Sequence, residues 1–404
     1  MIFSLAWRNI WRNKARSLVI MISIALGLFA GVAVLALYEG MLKGRIRTVI
    51  DEETGHIQIH HPLFSDERES GYYIPNPDAV LKTAAQVPEI EQINIRTLAN
   101  GMLSTSTGTA GVQVTGIDTL SEFRFSLLKQ KIKEGTGFKP GKSYQAIIGQ
   151  KLARKMKLET GSKMVLMFND TGNNLVSCAF RISAIYQSSN ARLDEKLVYT
   201  DRRELAELLG MPGQIQEIAL KTKEDNQAEA AVSQLKSLLP GLKVESWKEI
   251  SPETDFLAKT VDSYSNILIV IIMVALAFGI LNTMLMAIME RSREIGMIAA
   301  LGMSRFRIFS LVLMETVFLS MAGVPVGILL GWGTAAYFNK NGLDLSGMGE
   351  EMMSSFGFKT MIYPEFPAEK LFSVLSIVVV TTLISSLIPA FKAINMKPVE
   401  NLKA

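Results

Sequence analysis

The stretch ERSREIGMIAALGMSRFR, Glu290–Arg307, is the strongly charged run lying between two long apolar segments. Upstream, Asn266–Met289 is apolar apart from Asn266, Asn282 and Thr283; downstream, Ile308–Leu330 is apolar apart from Ser310, Glu315, Thr316 and Ser320. A helix needs about 20 apolar residues to cross a bilayer, and each segment has them. The run between them sets Arg291, Arg293, Arg305 and Arg307 against Glu290 and Glu294. Short loops rich in arginine stay in the cytoplasm. Ile295, Ile298 and Ala299 fall at the spacing that shares one helix face, and Leu301-Gly302 is a usual helix end. The reading is a surface helix held at the inner face of a membrane.

Working outward, the 404 residues are 49% hydrophobic with a net charge of +4, which fits a few spans plus a sizeable polar domain. The basic residues follow topology rather than a nucleic-acid patch. Cys178 is the one cysteine, so no internal disulfide forms. Residues 1–17 carry Arg8, Arg12, Lys14 and Arg16 without an acid, with Trp7 and Trp11 one turn apart, as in an interfacial helix. Leu18–Leu37 is long enough to span; a cleavable signal peptide is the competing reading, but no A-x-A site follows. We read 18–48 as a first span with a helical stalk, 253–289 as a stalk and second span, 308–338 as a third span and 371–389 as a fourth. The loop 339–370 has more acids than bases, whereas the tail 390–404 is basic. Four spans with both termini inside then satisfy the positive-inside rule at every loop.

Residues 49–252 form a large insertion outside the cytoplasm. Alternating stretches such as Ile57-Gln58-Ile59, Ile90–Thr97 and Gly111–Ile117 read as strands, and Asp78–Gln86, Arg202–Leu209 and Asp225–Leu239 read as helices. The expected architecture is an α+β membrane protein with four transmembrane helices. Its large extracytoplasmic α+β domain has two subdomains: an outer unit from about 50–97 and 197–250, and a strand-rich unit, 98–196, inserted in it.

ERSREIGMIAALG resembles the cytoplasmic loop of the FtsX-like, MacB-like and LolC/LolE permease family, some form of E-R-x-R-E-I-G-x-x-x-A-x-G. AWRNIWRNKARSLVIMISIALG, AIIGQKLARKMKLETGSKMVL and IPAFKAINMKPVENLKA are similar to other parts of that family. The resemblance implies a MacB-like periplasmic core domain and an ABC transporter permease of the bacterial inner membrane. It implies a coupling helix whose Glu290, Arg291, Arg293, Glu294, Ile295, Gly296, Ile298 and Gly302 engage a separate ABC ATPase, which binds the ATP; the chain itself needs no cofactor. Four spans are too few for a broad channel, so a dimer with a second copy or a paralogue is expected. The resemblance further implies mechanotransmission, and within the family lipoprotein release toward an outer membrane, with a lipoprotein substrate and a periplasmic carrier. The turn Asn169–Asn174 lacks the proline of the LolC carrier hook, which implies a chain that is more LolE-like, a homodimeric relative, or one with another job. MacB-like efflux and an FtsX-like regulator of a cell-wall hydrolase are the alternatives.

Other motifs fall short. GTGFKPGKS, Gly135–Ser143, mimics a phosphate loop, but Thr136 stands where its first glycine belongs and Pro140 removes an N–H. His56 and His60 sit on a predicted strand, where four residues separate side chains by roughly 13 Å, too far for one metal. No nucleophile–base or paired-acid signature is present. Glu315 and Asn282 are the intramembrane polar residues of interest. Glu315 is expected to pair with a base such as Arg307 or Lys392, and Asn282 to hydrogen-bond between helices, across a dimer for instance.

Overall fold

The computed structural model describes residues 2–12, 14–64 and 69–395, so the end of the basic tail, including Lys397, Glu400 and Lys403, lies outside the described residues. The chain divides into two compact units: Met1–Leu42, Lys259–Asp344 and Met361–Ala404 form a membrane unit, and Lys43–Ala258 with Leu345–Thr360 form an outer unit.

In the membrane unit an amphipathic helix, Ile2–Arg12, precedes the first span, Lys14–Thr48. The second, third and fourth spans are Pro252–Glu290, Arg305–Asn341 and Ala368–Ile394. All four are long and apolar enough to cross a membrane. Ile24, Leu28, Met273, Leu276, Leu319 and Val378 meet in their common core. The third span approaches the first on a stripe of glycines, four residues apart. A Cβ on Gly327 would lie 2.6 Å from the Ala25 carbonyl oxygen, and one on Gly331 2.7 Å from Val32 Cβ. Small residues are what allow two membrane helices this close. Trp7 and Phe3 of the amphipathic helix stack edge-on against Phe318, with ring centroids 5.7 and 4.7 Å away.

The outer unit is built on one ten-stranded sheet. Its strands are β1 (Ile57–His60), β2 (Ile90–Thr105), β3 (Gly108–Ile117), β4 (Ile132–Gly135) and β5 (Gln145–Gly149), then β6 (Lys163–Asn169), β7 (Leu175–Tyr186), β8 (Leu197–Asp201), β9 (Glu217–Thr222) and β10 (Lys243–Ser246). The order is β10-β1-β9-β2-β3-β8-β5-β7-β4, with β6 bridging β2 and β7. The change of core falls within β2, between Ile95 and Ala99, beside the expected boundary at 98, whereas the second boundary lies past Met211 rather than at 196. β2 runs unbroken for 16 residues and pairs with β9 through its first half and with β3 and β6 through its second. β8, assigned by sequence to the outer piece, pairs with β3 and β5. The helix after it, Arg202–Leu208, puts Leu205 into the same core as Leu103, Leu166 and Phe180. A separate core of Ile57, Ile59, Ile218, Leu220, Val232 and Leu235 lies under β1, β9 and the helix Ala228–Leu238.

The motif AIIGQKLARKMKLETGSKMVL folds as read: β5, the helix Gln150–Met156, a left-handed Lys157 at φ 52°, then β6. Gly135, Gly137 and Gly141 all have positive φ, and the Gln145 side chain bonds the backbone of Lys139 and Lys142, so GTGFKPGKS is a pinned turn. The loop 339–370, expected on the outer side, is ordered by its own contacts. Leu343–Asp344 pairs with Met361–Ile362, and Leu345–Thr360 joins the outer unit, where Lys359 reaches Glu52 at 3.1 Å.

Candidate coupling site

The charged stretch is not one helix. Glu290 ends the second span, the coupling helix proper is Ser292–Ala300, and Arg305 opens the third span. Arg291 stands at the break, with φ −102° and ψ 17°. That turn sends its guanidinium back along the third span. Nη1 donates to both oxygens of Glu315 at 2.9 and 3.1 Å, and Nε donates to Glu294 at 3.1 Å. Arg12 of the amphipathic helix also donates to Glu294. One chain of charge thus ties three elements together. The side chains of Arg291 and Glu315 are only 14% and 15% exposed, so the pair is largely withdrawn from water. Burial pushes the Glu294 carboxyl up, but Arg291 and Arg12 outweigh it and hold it below the usual carboxylate range. Asn9, Ser17, Arg291 and Glu315 line a cavity of about 30 Å³, enough for one water beside the pair.

Glu315 thus pairs with Arg291, a base the sequence reading did not single out; Arg307 and Lys392 are exposed. Periodicity could not choose among these bases, because it does not show where the chain bends. The face assignment also changes. Ile295, Ala299 and Met303 pack against the chain's own membrane core, and Gly296 is buried. Ile298 is half-buried. The surface left open on this element is formed by Arg293, Met297 and Leu301, the last two 54% and 81% exposed, with Arg305 and Phe306 beside them. Gly302, at φ 94°, stops the helix as expected.

Asn282 is exposed on the second span and makes no hydrogen bond among the described residues. Sequence reading passed over Glu39, which is 6% exposed and pairs with Lys370 of the fourth span and Ser265 of the second. A lone acid at the end of an apolar run was the available signal. Among the described residues no group of three His, Cys, Asp or Glu side chains is placed to hold a metal.

Comparison with known proteins accords with this architecture. Residues 17–238 match the MacB-like periplasmic core domain, and residues 266–398 match the FtsX-like permease C-terminal family. An uncharacterized ABC transporter permease of Methanocaldococcus jannaschii is 22% identical over all of this chain and 97% of its own length. The lipoprotein-releasing system transmembrane protein LolC of Xylella fastidiosa is 21% identical over 71% of this chain and 72% of its own. The pyoverdine export ATP-binding/permease protein PvdT of Pseudomonas entomophila is 26% identical over 80% of this chain but 50% of its own. Of solved structures, the periplasmic region of MacB from Actinobacillus actinomycetemcomitans is similar over 54% of this chain and 97% of that one, with 14% identity and a TM-score of 0.36. With a domain family matched over more than half its length, the chain belongs to the FtsX-like, MacB-like family of ABC transporter permeases.

Proposed function

We propose that the chain is the permease subunit of an ABC-type mechanotransmission complex that releases lipoproteins from the inner membrane. A separate ATPase binds the open surface of the coupling helix, and its ATP-driven movement passes through Arg291 to the third span and on to the periplasmic domain. A second permease, identical or paralogous, completes the assembly. The observation that carries the coupling role is the exposed Arg293–Met297–Leu301 surface on an element anchored to the bundle by Ile295, Ala299 and the Arg291–Glu315 pair. Apolar centre and charged edge is the make-up of a partner-binding patch. Lipoprotein release is favoured because the LolC relative is matched over most of its own length. Efflux is the second reading, supported by the higher identity to PvdT.

The test is reconstitution with the co-expressed ATPase in proteoliposomes carrying a fluorescent lipoprotein. Transfer of the label to a soluble carrier on adding ATP supports release. ATP-driven movement of a small amphiphile with no lipoprotein transfer establishes efflux instead.

A further inference from the structure

One face of the outer sheet is polar and nevertheless buried. Side chains alternate across a strand, so Ile57 and Ile59 of β1 enter the core while Gln58 and His60 turn to the opposite side. Glu217 of β9, Arg96 of β2 and Thr115 of β3 lie on that side too, and the helical segment Val49–Thr54 covers them. Between sheet and cover is a cavity of about 400 Å³. That is within the size range of small-ligand sites, ~300–1,000 Å³.

His60 is its centre. Nε2 lies 3.2 Å from Glu217 Oε2. A carboxylate only accepts, so Nε2 donates, and neutral His60 keeps Nδ1 as a lone-pair acceptor. Nδ1 has no hydrogen-bond partner, although His60 is only 6% exposed. Glu245 Oε2 is 3.8 Å from Nδ1, while Lys243 holds the other oxygen, Oε1, at 3.2 Å. Two acceptors at this spacing suit one bridging nitrogen, which reaches both at ~2.9 Å. Thr115 Oγ1, in a residue 2% exposed on the same wall, is also unpartnered. The other glutamates of the wall are already paired: Glu52 with Lys131 and Lys359, Glu53 with Arg45, Glu217 with Arg96 and Glu249 with Lys236. The position between His60 Nδ1 and the Glu245 carboxylate calls for a hydrogen-bond donor, and the carboxylate favours one that is cationic.

We propose that this cavity binds a small organic amine, with its ammonium group seated between His60 Nδ1 and Glu245 and a second polar group on Thr115. The proposal is independent of the partner ATPase. It is tested by calorimetric titration of the full chain in detergent micelles with putrescine, and with butanediol as the uncharged isostere. Putrescine binds saturably and butanediol does not. Glu245→Gln, which keeps the shape and removes the charge, weakens binding at least about tenfold, as expected for a lost charge-assisted bond. Thr115→Val, an isosteric change, weakens it by a smaller factor, and melting curves establish that each variant is folded. No saturable putrescine binding overturns the proposal. Equal binding of butanediol, or unchanged affinity in both folded variants, overturns it as well.

Discussion

The Arg291–Glu315 pair sets two effects against each other. Withdrawing both charges from water costs several kcal/mol, and their attraction in good geometry offsets it. Removing one partner leaves the other uncompensated. Arg291→Ala is therefore expected to destabilise the membrane unit by ~3 kcal/mol, whereas Arg291→Met with Glu315→Leu is expected to be nearly neutral. Denaturant titration in detergent distinguishes these outcomes, and equal loss in both would assign the effect to packing. Asp194 in the outer unit gives a pH prediction. Burial pushes its carboxyl from 3.8 up to about 6, although Ser188 donates to it. The folded state thus holds its proton more tightly than the unfolded chain. That contribution is fully present below pH 3.8 and is lost as pH rises to about 6. Asp194→Asn is expected to stabilise the protein at neutral pH and to flatten its melting temperature across that window. An unchanged profile would place the titration elsewhere.

At the scale of the element, the coupling helix separates two roles that its amphipathic pattern merges. Periodicity shows that Ile295 and Ala299 share a face; it does not show whether the face meets the chain's own bundle or a partner. The structure gives it to the bundle. Ile295→Asp should then lower stability even without an ATPase present, by burying an unpaired charge. Leu301→Asp, at an 81% exposed position, should leave melting unchanged and abolish co-purification of the ATPase. If Leu301→Asp retains the partner in full, the open surface is not the docking face. The same distinction explains what was legible elsewhere. The spans, the coupling stretch and the β5–helix–β6 motif were readable because their signals are local: apolar length, charge between apolar runs, and a glycine turn. The sheet's continuity was not, since β2 carries one core on its first half and another on its second, and no residue within it marks the change. Nor was the docking of Leu345–Thr360, whose pairing of Lys359 with Glu52 spans some three hundred positions of sequence.

For the whole molecule the governing physics is charge against the membrane. Arg293, Arg305 and Arg307 are exposed at the join of the second and third spans, and Arg8 and Arg12 are exposed ahead of the first. Lysine and arginine in short loops are retained on the cytoplasmic side, so both stretches are expected there. With a single span between the amino-terminal helix and the outer unit, that unit is expected on the opposite side. Residues on the two sides differ in access to an impermeant reagent. After Cys178 is replaced, cysteine at Gln113, on strand β3, is expected to label in intact cells with an impermeant maleimide. Cysteine at the exposed Ser304 should label only after permeabilisation. Asn282 adds a second observable on the same material. An amide left without a partner in hydrocarbon costs several kcal/mol, and an equivalent amide on a second permease would satisfy it. Cysteine at Asn282 should therefore form an oxidant-dependent dimer, while cysteine at Phe278, exposed one turn away on the same helix, should cross-link less. Labelling of Gln113 and Ser304 from the same side would break the four-span topology. Failure of the Asn282 cross-link with the labelling intact would leave the topology standing and move the dimer contact to another helix.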